Sequence, residues 1–196
     1  QTYRPVRERN AENILNSVEE GLQKTGYDEV GLTSLSSTDH SQIAEIMSKL
    51  NEKFADSDYK LRIPSQRMDA FGTCMALFAS DKKKGGLTFA PEAGTQRLRN
   101  VINKNISEED IVSAVSSSFA NGWLRCKLYF MIGLPTETDE DLQGIIDVAN
   151  RVLQIARENV PKNKKSAVIV TVSLAIFVPK CNTPFQYCGQ ISMEEA

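Results

Sequence analysis

Five segments rich in β-branched and aromatic residues begin near residues 28, 59, 87, 124 and 167, and each interval between them has room for a helix with its turns. This spacing constrains the fold more than any other feature of the chain. Strands that far apart cannot be joined by tight hairpins, whereas a parallel pair requires a crossover of a dozen or more residues, usually a helix. The intervals carry helical periodicity. Ile14, Leu15, Val18 and Leu22 share one face, and Ile43, Ile46, Met47, Leu50 and Phe54 follow the amphipathic pattern. A short helix is expected over 69–79, another opening near Thr95, and a third at Ser107, whose spacing to Asp110 resembles a capping box. A long helix over 138–158 would bury Leu142, Ile145, Ile146, Ala149 and Leu153. The strands are expected over 28–35, 59–64, 87–90, 124–132 and 167–178, with no internal domain boundary between them.

Alternation within the strands separates a barrel from a flat doubly wound sheet. Over 124–132 one face carries Leu124, Cys126, Leu128, Phe130 and Ile132, and the other Arg125, Lys127, Tyr129 and Met131. The last strand sets Val168, Val170, Val172, Leu174, Ile176 and Val178 against a face broken by Thr171 and Ser173. A sheet covered by helices on both sides would be apolar on both faces. One apolar and one mixed face fits an α/β barrel of parallel strands, helices outside, with its site at the C-terminal strand ends.

Counting excludes several chemistries. Lys and Arg total 23 against 25 Asp and Glu, a net charge of −2, which argues against a dedicated nucleic-acid binder. There is one histidine, His40, so a multi-histidine metal cage is excluded, and its neighbours Ser37, Thr38 and Asp39 read as a helix start rather than part of a catalytic triad. Neither a Walker A sequence nor a GxGxxG occurs. The four cysteines, Cys74, Cys126, Cys181 and Cys188, form no disulfide framework, which points to a reducing cytoplasm. The longest apolar run, 167–178, is too short to span a bilayer.

In a barrel the chemistry follows each strand directly. There the chain places Ser34 to Asp39, Pro64 to Arg67, Ala90 to Arg97, Gly133 to Glu137, and Phe177 to Gln186. These are turn residues, small hydroxyls and isolated charges, suited to a polar small molecule.

The segments Gly86-Leu87-Thr88-Phe89-Ala90-Pro91-Glu92-Ala93-Gly94-Thr95-Gln96-Arg97-Leu98-Arg99 and Leu128-Tyr129-Phe130-Met131-Ile132-Gly133-Leu134-Pro135-Thr136-Glu137 resemble the radical S-adenosylmethionine (SAM) superfamily. They look most like the branch often fused to a cobalamin-binding-like domain. Tyr3 to Arg9, Ser65 to Phe71, Phe177 to Lys180 and Thr183 to Gln186 match in the same order, so the resemblance covers essentially all of 1–196 as one core domain. It implies a partial TIM-like (βα)6 barrel whose first strand ends in a Cys-x3-Cys-x2-Cys loop. That loop holds a [4Fe-4S] cluster at which SAM is reductively cleaved to a 5′-deoxyadenosyl radical. By the same resemblance Ser36, Ser37 and Thr38 meet the SAM amino group, and Glu92 faces its ribose or methionine part. Arg97 approaches the carboxylate, while Met131, Ile132 and Gly133 pack on adenine. An electron donor such as flavodoxin or ferredoxin is implied as a partner, and cobalamin as a further cofactor of that branch.

No Cys-x3-Cys-x2-Cys occurs in the sequence, so the chain reads as a fragment whose first strand and cluster loop lie upstream of Gln1. On that expectation the fragment holds no metal and is inactive alone. Its exposed strand edge and N-terminal arm through Arg9 favour self-association or disorder of the arm. Two other functions stay open from the residues: a Schiff-base aldolase-like barrel using Lys127 as nucleophile, and a non-catalytic scaffold.

Overall fold

Every strand pairing among the described residues is parallel and follows chain order, as the crossover spacing requires. The computed structural model describes residues 5–34, 39–54, 59–62 and 86–195, and it falls into two compact units, Gln1–Gly85 and Gly86–Ala196. The expected helix over 69–79 lies outside the described residues, as do Cys74, the segment Ser65 to Phe71, and Ser36, Ser37 and Thr38.

The first unit contains α1 (Ala11–Thr25), β1 (Glu29–Gly31), α2 (Ile43–Lys53) and β2 (Lys60–Arg62). Strand β1 is shorter than the sequence suggests, and the two strands pair Glu29 with Lys60 through Gly31 with Arg62. Helix α1 begins where the Asn10 side chain accepts from the Asn13 N–H at 2.8 Å, and it ends at Gly26 in the left-handed region. Ala11, Val18 and Leu22 interlock with Ile46 and Leu50 of α2, as their spacing predicts. The helix start expected at Ser37 to Asp39 is displaced: α2 begins at Ile43, and its cap position is Gln42. His40 instead fastens the preceding turn. Its Nδ1 accepts from the Gln42 N–H at 3.0 Å, and its Nε2 donates to the Arg9 carbonyl at 2.8 Å. Glu8 accepts from the backbone and hydroxyl of Ser41. The arm is therefore tied down from Glu8 onward, contrary to the expectation of disorder through Arg9.

The second unit contains β3 (Leu87–Glu92), α3 (Gln96–Val101), α4 (Glu108–Ala120), β4 (Arg125–Ile132), α5 (Asp139–Glu158), a 3-10 turn (Lys162–Ala167) and β5 (Ile169–Ile176), with sheet order β3-β4-β5. The expected alternation holds on β4, and β3 shares it. Leu87, Phe89, Cys126, Leu128 and Phe130 are buried beneath the helices, while Arg125 and Tyr129 are exposed on the other face. Strand β3 runs two residues longer than expected because a register shift after Phe89 lets it reach Glu92. Strand β5 is shorter at its start, where 162–167 coils into the 3-10 turn.

Two burial expectations need correction. Helix α5 turns Asp141, Gly144, Ile145, Val148, Val152, Ile155 and Ala156 inward, leaving Leu142 and Ile146 exposed. On β5 the apolar face is open at this edge, with Leu174 56% exposed and Val172 exposed beside it.

The capping box on α4 is present. The Asp110 N–H donates to Ser107 Oγ at 3.1 Å, and the Asp110 carboxylate accepts from the Ser107 N–H at 2.8 Å. Ser107→Ala should therefore cost about 1 kcal/mol in urea denaturation, and Ser107→Gly only a few tenths. Equal losses for the two would show that the cap hydroxyl is not the source.

Candidate functional site at the strand ends

The parallel register sets the loops after β3 and β4 side by side. Glu92 ends β3 opposite Phe130, at φ +70°, a conformation that costs a non-glycine residue free energy and often marks a functional site. Its carboxylate is half-buried, and Lys104 Nζ approaches its Oε1 at 3.3 Å. Lys104 reaches it because Asn103, at φ +55°, turns the chain back after α3, where the Lys104 N–H donates to the Arg99 carbonyl at 2.8 Å.

Beyond Glu92 the chain runs close against α5. A Cβ on Gly94 would fall inside the atomic radii of the Asp141 carbonyl and the Ile145 nitrogen, and 2.6 Å from the Gly144 carbonyl carbon. Gly144 is the reciprocal surface, since a Cβ there would lie 2.9 Å from the Thr95 methyl and from the Gly94 carbonyl carbon. Arg99 is wholly buried behind this loop and donates to the carbonyls of Ala93, Gly94 and Ile106, to Gln96, and to Glu108.

Asp141 joins the two loops. Its side chain is 1% exposed and accepts from the Thr95 hydroxyl, from Arg97, and from the Thr138 N–H and hydroxyl at 2.9 Å each. Burial pushes its pKa up, but the donors from Thr95, Arg97 and Thr138 outweigh it and bring the carboxyl to about 2. The remaining reach of Arg97 goes to the Thr136 carbonyl at 2.8 Å, so its guanidinium braces the loop before α5.

The β4 loop turns at Gly133, φ +74°, whose N–H donates to Glu137 Oε2 at 2.6 Å. Glu137 Oε1 is buried without a hydrogen-bond partner among the described residues. Burial raises the Glu137 pKa; the Gly133 N–H acts against this, and Asp141 adds to it. The segment after β5 folds back over this edge. Phe177 donates its N–H to the Ile132 carbonyl at 2.8 Å and meets Phe185 edge to face. Phe185, Cys188 and the half-exposed Met131 pack on the cluster of Ala93, Leu98, Leu134 and Phe177, and Ile191 lies directly on Gly133.

The β4 and β3 site residues expected from the motifs, Glu92, Met131, Ile132 and Gly133, thus lie at one end of one sheet. Arg97 stands beside them, facing α5. Sequence reasoning missed Asp141, Gly144 and Lys104, and it gave Gly94 and Glu137, which lie within the strand-end segments, no role of their own. Only Asp141 had a local signal, its Thr-x-x-Asp spacing from Thr138. Among the described residues no three His, Cys, Asp or Glu side chains converge as a metal site. Cys126 is buried with its thiol pushed up to about 12, while Cys181 is exposed and Cys188 half-buried.

A model of the Radical SAM superfamily matches residues 1–149, which include both strand-end loops. The chain belongs to the radical SAM superfamily. It is also 33% identical over 184 residues to an uncharacterized protein of Methanocaldococcus jannaschii, a match covering 94% of this chain and 37% of that relative. This radical SAM chain therefore spans well under half the length of that relative. Among its described residues no helix is long and apolar enough to cross a membrane.

Proposed function

We propose that the chain is the SAM-binding core of a radical SAM enzyme, its two sheets forming parts of one partial (βα)6 barrel over 1–196. The observation that carries this reading is the adjacency of the Glu92 and Gly133 loops at one sheet end, within the segment that the family model matches. The family draws reductive cleavage of SAM from a [4Fe-4S] cluster. The cysteines of this sequence do not fit that cluster, because thiolate ligands must converge on one small volume and these are scattered along the chain. In this reading the ligands belong to the longer protein, and an external donor of flavodoxin or ferredoxin kind supplies the electron. The family match supports the SAM part of this reading and does not bear on cobalamin.

For SAM itself the residues fit. Lys104 approaches only Oε1 of Glu92, leaving the other oxygen to accept from ribose hydroxyls. Met131, Ile132 and Gly133 offer a half-exposed, largely apolar edge for a flat base. Arg97 acts here through the loop it braces at Thr136 and Asp141, and Ser36 to Thr38 keep the role of meeting the amino group. The Schiff-base alternative loses support from Lys127, whose ammonium lies 4.7 Å from the centroid of the Tyr129 ring, the contact of a cation on a π face.

The test uses the full-length protein, supplied anaerobically with iron and sulfide, reduced and given SAM. The expected product is 5′-deoxyadenosine. Glu92→Ala should weaken SAM binding by about tenfold, the worth of one hydrogen bond to a charged group, and leave the cluster absorbance unchanged. A full-length protein that takes up iron and sulfide yet never cleaves SAM would overturn the catalytic reading in favour of a scaffold.

A further inference from the structure

The face of the β3-β4-β5 sheet turned away from its helices carries a row of side chains that SAM binding does not use. Thr88, Lys127 and Thr171 are direct register partners across the three strands. Neighbouring strands lie about 4.8 Å apart, so two hydroxyl-bearing residues flank the lysine on one rung. Arg125 is on the same face of β4 about 7 Å toward the strand start, and Tyr129 as far toward its end. The Tyr129 ring, itself 37% exposed, contacts the Lys127 ammonium. None of the described strand residues on this face is acidic, and Glu92, which ends β3 in register with Phe130 of the covered face, meets Lys104. The middle of the face therefore presents two cations to the open side with no acidic side chain between them.

We propose that Lys127, Arg125 and the hydroxyls of Thr88 and Thr171 bind a phosphoryl group of the substrate. A phosphoryl group brings nearly two negative charges and three acceptor oxygens. That matches a pair of cations flanked by hydroxyl donors, whereas a carboxylate would leave one cation and one hydroxyl unanswered. The ring of Tyr129 limits the directions in which the ammonium can point. The inference rests on the radical SAM reading for treating this open face as the substrate side; the anion site itself stands on the register and the charge of the face.

The probe is inorganic phosphate titrated into the full-length protein by calorimetry, with acetate as the comparison. Wild type should bind phosphate and prefer it to acetate. Lys127→Met should weaken phosphate binding by about tenfold, the worth of one charge-assisted hydrogen bond. Lys127→Arg should restore most of it, and Thr171→Val should weaken it less than Lys127→Met does. Thr171→Val carries the comparison if circular dichroism shows that Lys127→Met is misfolded. Equal affinity for acetate, no phosphate binding by wild type, or unchanged binding in both variants would each overturn the proposal. SAM cleavage by the wild-type protein is read separately, so failure of the radical SAM reading is distinguishable from failure of the phosphate site.

Discussion

Gly94→Ala should be among the most destabilising single substitutions in this protein. The added Cβ meets backbone atoms of Asp141, Gly144 and Ile145, which belong to a helix and cannot rotate away as a side chain would. Relief requires moving α5 off the β3 loop, which would also part Asp141 from Thr95 and Arg97. Overpacking usually costs about 1–3 kcal/mol, and this case should exceed that because it breaks a buried polar network as well. Gly144→Ala should be milder, since one of its three nearest neighbours is the Thr95 methyl, at 2.9 Å, and a side chain can turn. Gly21→Ala is the control. Gly21 sits within α1, and a Cβ there would have nothing within 4 Å. That substitution should stabilise by about 0.5–1 kcal/mol through helix propensity. Urea denaturation of the three variants orders them directly, and a Gly94→Ala variant as stable as wild type would show that the close approach to α5 does not exist.

Asp141→Asn should cost about 2 kcal/mol at neutral pH, because it removes the charge that Arg97 and the two threonines donate to and turns an amide NH2 toward groups that donate to Asp141. The pH dependence identifies the cause. Asp141 is held at about 2 against an ordinary value of 3.8. A carboxyl so depressed adds about 2 kcal/mol to folding, fully present above pH 3.8 and lost as pH falls toward 2. The stability gap between wild type and Asp141→Asn should therefore narrow over that window. Glu137 acts with the opposite sign. Its raised pKa means that its stabilising contribution belongs to the neutral form and is lost as pH climbs through its folded-state value. Glu137→Gln should accordingly gain on wild type as pH rises from 4 toward neutrality. A wild-type-to-Asp141→Asn gap that stays constant down to pH 2 would remove Asp141 from its place as the charged hub.

The sequence makes the crossover topology and the strand-end loops legible because both depend on local spacing. Strand β4 reads correctly from alternation alone, since Cys126, Leu128 and Phe130 are buried while Arg125 and Tyr129 are exposed. Helix α5 misleads for a physical reason. Periodicity ranks Leu142 and Ile146 as core and ignores Asp141 and Gly144, yet the helix approaches the β3 loop through those two residues. A charge and a glycine look like surface until the donors and the backbone facing them are known, and these come from a segment far away in the chain. Arg97 takes its ligand role from its motif alone, and its contacts with Thr136 and Asp141 are likewise set by a segment far away in the chain. Glu92 was legible as a residue but not as a conformation, since its positive φ follows from the register shift after Phe89.

The tail that returns over Gly133 sets an order of events during synthesis. Helices α4 and α5 and the strands they follow bring together residues close in the chain, and such contacts close quickly. Ile191 and Cys188, by contrast, reach back across α5 and all of β5 to Gly133 and Met131. On the ribosome those residues emerge after β5, so the Gly133 turn is uncovered while the sheet is being made and is covered only afterwards. Packing of 185–191 onto the strand-end loops is thus separated in time from formation of the sheet that carries them.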